Sequence, residues 1–249
     1  MVQAKVYFLY LAKLLLYMAG RLFLIPVTLG GEEYSYVIPD QVLNITRNLR
    51  YFIVEELRSA RRYLRLIDRQ FPLNESHFSV LNEHTPDTDI DLFLEPLKSG
   101  SDIGLMSEAG LPCLADPGSK IVSIAHKRNY SVIPLAGPSS IIMALISSGF
   151  NGQNFTFNGY LPVKPDKKIL KIRELEKRAR EGYSQIFMET PYRNQKMLET
   201  LVGICNNDTN LCIAADITLT SEWIRAMKIS EWKKNIPALK NRLVVYIIG

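Results

Sequence analysis

Cysteine and histidine are scarce, three of each in 249 residues. Cys113, Cys205 and Cys212 are odd in number and contain no C-x-x-C pair, so neither a disulfide framework nor a thiolate zinc site is signalled. His77, His84 and His126 show no H-E-x-x-H or comparable ligand spacing, and no protein-bound metal is expected. G-x-G-x-x-G is missing, which argues against a dinucleotide fold and a Rossmann-type methyltransferase. G-x-x-x-x-G-K-[ST] is missing too, which argues against a P-loop nucleotidase. The most apolar run, residues 6–18, falls short of the ~20 residues of a spanning helix, contains Lys13 and is followed by no A-x-A cleavage pattern. Stable membrane insertion is therefore not expected. The cysteine usage fits a reducing, cytoplasmic compartment. The preferred reading of the apolar run is a biological start at Met18, and residues 1–20 are expected to be an apolar leader outside the native fold.

What is present is an ordinary globular composition, 47% hydrophobic and 22% charged. A net charge of +5 makes the surface mildly basic. That balance attracts polyanions such as nucleic acid, but a merely solvated basic surface is the stronger reading.

Short apolar runs alternate with helical patterns, the signature of βαβ units and a largely parallel sheet. Residues 22–27, 51–54, 77–81, 103–106 and 132–135 read as strands. Asp40 is expected to cap a helix whose apolar face is Val42, Leu43, Ile45 and Leu49. Residues 56–67 repeat Leu57, Tyr63, Leu64 and Ile67 among arginines, giving an amphipathic helix whose basic face is expected to be solvated, with RNA contact as the alternative. Helices are also expected over 89–97, over 119–128 and over 140–147, the last ended by Gly149. The polar segment after Gly149 has linker composition, so a boundary is placed there. The expected organisation is an N-terminal α/β domain over 21–150 and a C-terminal α/β domain over 151–249. The second has strands at 155–159, 185–188, 211–216 and 243–248 and helices at 167–180 and 193–201.

Cofactor loops of parallel α/β sheets lie at the C-terminal ends of strands, where helix N-termini and backbone N–H groups collect. Residues 26–31, 107–118 and 136–140 hold that position. In Ser107-Glu108-Ala109-Gly110-Leu111-Pro112 the glycine permits close backbone approach and the proline stiffens the exit. Further along come Asp116-Pro117-Gly118, Pro134-Leu135-Ala136-Gly137-Pro138-Ser139-Ser140, Phe157-Asn158-Gly159-Tyr160-Leu161-Pro162 and Glu189-Thr190-Pro191-Tyr192-Arg193. This ordered series resembles the tetrapyrrole methylase superfamily, and most nearly its branch of ribosomal RNA small subunit methyltransferases, from about Arg21 onward.

The resemblance implies two α/β domains, a homodimer, and S-adenosylmethionine in the cleft between the domains. Carried onto matching positions, the cofactor would be held by Pro26, Val27, Glu108, Leu111, Pro138, Ser139 and Ser140, with Met188, Ala214 and Asn241 lining the other side. It implies methylation of ribosomal RNA, on its own or in the 30S subunit, at a ribose 2'-hydroxyl. The alternatives are a tetrapyrrole or other small acceptor, or a SAM-binding protein without catalysis. A hydroxyl acceptor needs a base, for which His84, Glu56 and Glu189 are the candidates, Glu55 standing beside them. Glu189 can equally form an ion pair with Arg193 within its own domain. Three departures stand out. Glu108 replaces the branch's aspartate, Pro26-Val27-Thr28 replaces P-I-G, and Glu55-Glu56-Leu57-Arg58 replaces E-D-T-R.

Overall fold

A computed structural model describes residues 19–82 and 85–249. The chain divides into two compact units, one ending at Pro138 and the other running from Ser139 to Gly249. The boundary expected after residue 150 therefore falls earlier, and the helix before Gly149 belongs to the second unit. The leader, apart from Ala19 and Gly20, lies outside the described residues. Gly20 itself is part of the first unit, its N–H donating to Leu97 O at 2.9 Å.

The first unit is a parallel five-stranded sheet of β1 (Arg21–Ile25), β2 (Tyr51–Val54), β3 (His77–Val80), β4 (Ile103–Met106) and β5 (Ser131–Pro134), in the order β3-β2-β4-β1-β5. Side chains alternate between its faces. Phe23, Ile25, Phe52, Val54 and Met106 pack with Val42 and Leu43 of α1 (Asp40–Asn48) and with Tyr63, Leu64 and Ile67 of α2 (Leu57–Ile67). Leu22, Ile53, Ile103 and Leu105 pack instead with α3 (Asp87–Phe93), α4 (Glu95–Lys98) and α5 (Ser119–Lys127), through Ile90, Leu97, Ile121 and Ala125.

Two local readings are corrected. Pro39, not Asp40, occupies the N-cap of α1; Asp40 is the first helical residue, where its charge still favours the helix dipole. The single helix expected over 89–97 is broken at Leu94, because Pro96 cannot continue the hydrogen-bond ladder and instead enters α4 as an early residue.

The second unit opens with α6 (Ser140–Ser148) and a second five-stranded sheet: β6 (Phe155–Tyr160), β7 (Ser184–Met188), β8 (Asn210–Ala215), β9 (Trp223–Lys228) and β10 (Val244–Ile248). Its order is β6-β7-β10-β8-β9. Only β6 and β7 are parallel; β10 runs antiparallel to both β7 and β8, and β9 forms an antiparallel edge. One face buries Phe187, Ile213 and Tyr246 under α7 (Pro165–Arg180), α8 (Asn194–Ile204) and α9 (Ile229–Trp232). The alternate residues Ile186, Cys212, Ala214, Val245 and Ile247 are buried as well. On that side α6 packs along β8, β9 and β10. Gly149 ends α6 in the left-handed conformation, as the sequence suggests.

Candidate active site

In the first sheet β1 and β4 are neighbours, yet the chain leaves β1 toward β2 and leaves β4 toward β5, in opposite directions. Right-handed crossovers then send α1 and α5 to opposite faces, which opens a crevice at the C-terminal ends of these two strands. Residues 26–31 and 107–118 line it. They are tied together where Val27 N–H donates to Gly110 O at 3.0 Å. Tyr63, reaching up from α2, donates its hydroxyl to Pro26 O at 3.2 Å and fixes the other flank.

Close backbone approach is built into this crevice. Gly110 has φ +72°, and a Cβ there would press on Leu29 Cδ2 at 3.0 Å and Pro138 O at 3.2 Å. A Cβ on Gly137 would overlap the Pro26 ring. The loops after β1, β4 and β5 thus meet through main chain, as a cofactor cradle of backbone groups requires. The turn after β4 is pinned by Asp116, whose carboxylate accepts from Cys113 N–H at 2.8 Å and Gly118 N–H at 2.7 Å. Burial pushes the Asp116 pKa up, and these amide bonds only partly oppose it. The turn holds Cys113 and Ala115 at positive φ, strain that the Asp116 bonds stabilise. Glu108 is exposed, its N–H donating to the Glu55 carboxylate at 3.2 Å.

In the second unit Met188 and Ala214 both pair in register with Val245, so the three share one face of one row. Phe150, just after α6, packs on Gly249 beyond β10, so α6 runs back along β10 with its N-terminus toward that row. Ser139 is buried and caps α6, accepting from Ile142 N–H at 3.4 Å, and Ser140 opens the helix. Asn241, at φ +63°, donates its N–H to Pro191 O at 3.0 Å and joins the loop after β7 to the start of β10. Beside it Asp216 accepts from Arg242 Nε at 2.7 Å and Leu243 N–H at 2.9 Å. Burial raises the Asp216 pKa, but the Arg242 guanidinium and the amide outweigh that and leave it below the usual carboxylate value.

The cofactor candidates therefore fall into two groups: Pro26, Val27, Glu108, Leu111 and Pro138 in the first unit, and Ser139, Ser140, Met188, Ala214 and Asn241 in the second. Of the proton-acceptor candidates, Glu56 belongs to the first unit and Glu189 to the second. Glu56 is the N-cap of α2, accepting from Arg58 N–H at 2.9 Å and Ser59 N–H at 2.6 Å, bonds that lower its pKa. Glu189 has a side chain 0% exposed, paired with Arg193 at 2.7 Å and Lys168 at 3.2 Å. Burial raises its pKa, but the Thr190 N–H, Arg193 and Lys168 together bring it below the ordinary value. His84 lies outside the described residues. Sequence reasoning placed Asp116 in a motif without its role in pinning the turn, and missed Asp216 with Arg242 and the Tyr63 hydroxyl. Their partners are main-chain groups or residues distant in the chain, which no local pattern announces. Among the described residues no group of three His, Cys, Asp or Glu side chains could hold a metal ion, and no helix is long and apolar enough to cross a membrane.

Comparison with known proteins places this architecture. Residues 42–233 match the family of Tetrapyrrole (Corrin/Porphyrin) Methylases. The chain belongs to this family, a class of methyltransferases that take their methyl group from S-adenosylmethionine. Among curated proteins it is similar to the ribosomal RNA small subunit methyltransferase I of Vibrio cholerae serotype O1, 28% identical over 86% of this chain and 70% of that protein. It is also similar to the protein of the same name from Bacillus subtilis, 29% identical over 85% of this chain and 68% of that one. The one from Borrelia garinii is 27% identical over 89% and 94% respectively. Among solved structures the methyltransferase CobJ shares the fold, with a TM-score of 0.59 and 15% identity over 93% of this chain and 94% of that one.

Proposed function

We propose that the protein transfers a methyl group from S-adenosylmethionine to ribosomal RNA of the small subunit, at a ribose 2'-hydroxyl. The observation that carries this reading is the shared name of relatives aligned over 85–89% of the chain. When bound, S-adenosylmethionine supplies an electrophilic methyl on a sulfonium. The protein's own task is then to align the acceptor oxygen and exclude water. Pro26, Val27, Glu108, Leu111, Pro138, Ser139, Ser140, Met188, Ala214 and Asn241 are assigned to the cofactor. The glycine-backed contacts at Gly110 and Gly137 fit a main-chain cradle, and the Glu108 carboxylate is available to accept hydrogen bonds from cofactor donors.

A ribose hydroxyl must lose its proton. Because Glu56 and Glu189 are engaged as a helix cap and an ion-pair acceptor, and the Glu55 carboxylate accepts from Glu108 N–H, the base is assigned to His84. The same reading assigns the protein to the cytoplasm as a homodimer. The test is transfer of labelled methyl from S-adenosylmethionine to small subunits, followed by alkaline hydrolysis of the RNA. A 2'-O-methyl group blocks cleavage, so an alkali-resistant dinucleotide is expected, and H84N lowers turnover without weakening cofactor binding. Label on a base, or transfer to a porphyrinoid but not to RNA, contradicts the proposal.

A further inference from the structure

Helix α2 carries Arg58, Arg61, Arg62 and Arg65, and Arg69 follows two residues past its end. At 100° per residue the four helix positions, Arg58, Arg61, Arg62 and Arg65, fall within an arc of about 100°, opposite the buried face of Ala60, Tyr63, Leu64 and Ile67. All five are exposed. No ion pair joins any of them to a carboxylate among the described residues. The acids that flank the helix in the chain accept from backbone: Glu55 from Glu108 N–H at 3.2 Å, Glu56 as the helix cap, and Asp68 from Gln70 N–H at 2.8 Å. The polar contacts of the guanidinium groups are local, from Arg62 to Ser59 Oγ at 3.4 Å and from Arg65 to Arg69 O at 2.5 Å.

A solvated helix face does not need this composition. Like charges three and four residues apart oppose helix formation. Helix α7 of the same chain shows the usual arrangement, with Lys171 and Arg178 paired to Glu174 and Arg180 paired to Glu176. The stripe on α2 also leads to the crevice. Ser59, Arg62 and Tyr63 line a recess of ≈ 270 Å³ together with Val27, Thr28 and Glu108.

From this juxtaposition we infer that the arginine stripe of α2 is the docking surface for the phosphate backbone of the RNA substrate, delivering the acceptor nucleotide to the crevice at Val27 and Glu108. The inference rests on the RNA reading above. At 1.5 Å per residue, Arg58 to Arg65 spans roughly 10 Å, so the stripe follows two or three successive phosphates of one strand. Arginine suits this role because its planar fork binds phosphate oxygens in pairs.

The test measures binding of the full chain to protein-free small-subunit ribosomal RNA between about 50 and about 200 mM salt. Three proteins are compared: wild type, R58Q/R61Q/R65Q, and the charge-matched control K171Q/R173Q/K177Q on α7. The stripe variant is expected to melt as a folded protein and to bind S-adenosylmethionine as wild type does. It should lose at least tenfold in RNA affinity at the lower salt, and its log–log salt slope should flatten by roughly 2, at about 0.7 per phosphate contact. The α7 control should retain most of its affinity. Equal affinity and slope in wild type and the stripe variant overturn the inference. Equal losses in the stripe and control variants overturn it too, because net charge alone then accounts for binding. Wild type that binds cofactor but no RNA overturns the RNA reading itself.

Discussion

Gly137→Ala isolates the packing that joins the loops after β1 and β5. Gly137 is not among the glycines with positive φ, so alanine meets no backbone strain there. The entire effect is steric: the new methyl overlaps Cβ and Cγ of Pro26, while Ile38 Cδ1 at 3.7 Å would be an ordinary contact. Overpacking typically costs about 1 to 3 kcal/mol, and a proline ring, which has no rotamer to yield, puts this site at roughly 2 to 3. For a chain of this size each kcal/mol lowers Tm by about 2 to 4 °C, so a drop of roughly 4 to 12 °C is expected. Pushing Pro26 away also moves Val27 from Gly110, and S-adenosylmethionine affinity should fall about tenfold or more, some 1.4 kcal/mol. Differential scanning fluorimetry and calorimetric titration read the two effects. Gly152→Ala, where an added Cβ meets nothing within 4 Å, is the control and should stay within about 0.5 kcal/mol of wild type. If Gly137→Ala matches that control in both Tm and cofactor affinity, the main-chain cradle is wrong.

Other perturbations follow from the same geometry. E189A strands Arg193 and Lys168 and should cost roughly 3 kcal/mol by denaturant unfolding, less than a fully enclosed pair because both cations are partly exposed, at 29% and 12%. Because the native Glu189 and Asp216 carboxyls are held below their ordinary pKa, the unfolded chain takes up these protons first. Stability should therefore be complete above about pH 5 and fall as acid is added, with a shallower fall in E189Q. E56A should lower Tm as a lost helix cap, and E56S should restore it with turnover intact. Loss of turnover in E56S would instead make Glu56 a catalytic group. Cys205 and Cys212 are buried, and burial pushes both thiols up to about 12. They should resist a thiol reagent at pH 8 until denaturant is added, and labelling of both in native protein would refute their placement.

Much of the first unit was legible because its strands are buried on both faces. Residues 51–54 and 103–106 are continuous apolar runs between turn residues, and the structure places β2 and β4 on those same residues. The break at Pro96 was legible in principle, since proline inside a helical pattern is itself the signal. β9 was not. Trp223 to Lys228 is an edge strand whose side chains are mostly exposed or half-buried, so it lacks the apolar run that marks a core strand. The domain boundary was misplaced for a related reason. Helix α6, Ile141 through Ile146, is apolar on nearly every side, and composition cannot say which of two sheets such a helix will cover. At the site, the motifs brought out the loops at the ends of β1, β4 and β5, because glycine and proline announce backbone approach. Which carboxylates are occupied was hidden, since the partners of Glu56, Asp116 and Asp216 include main-chain N–H groups that every sequence possesses.

Binding of the methyl donor is the claim on which the rest stands, and it is measured directly by calorimetric titration of the intact protein with S-adenosylmethionine. The account predicts saturable binding with Kd in the micromolar range, about 8 kcal/mol, weakened when Pro138 and Ser139 are replaced. A protein that melts cooperatively yet shows no binding of S-adenosylmethionine would contradict it.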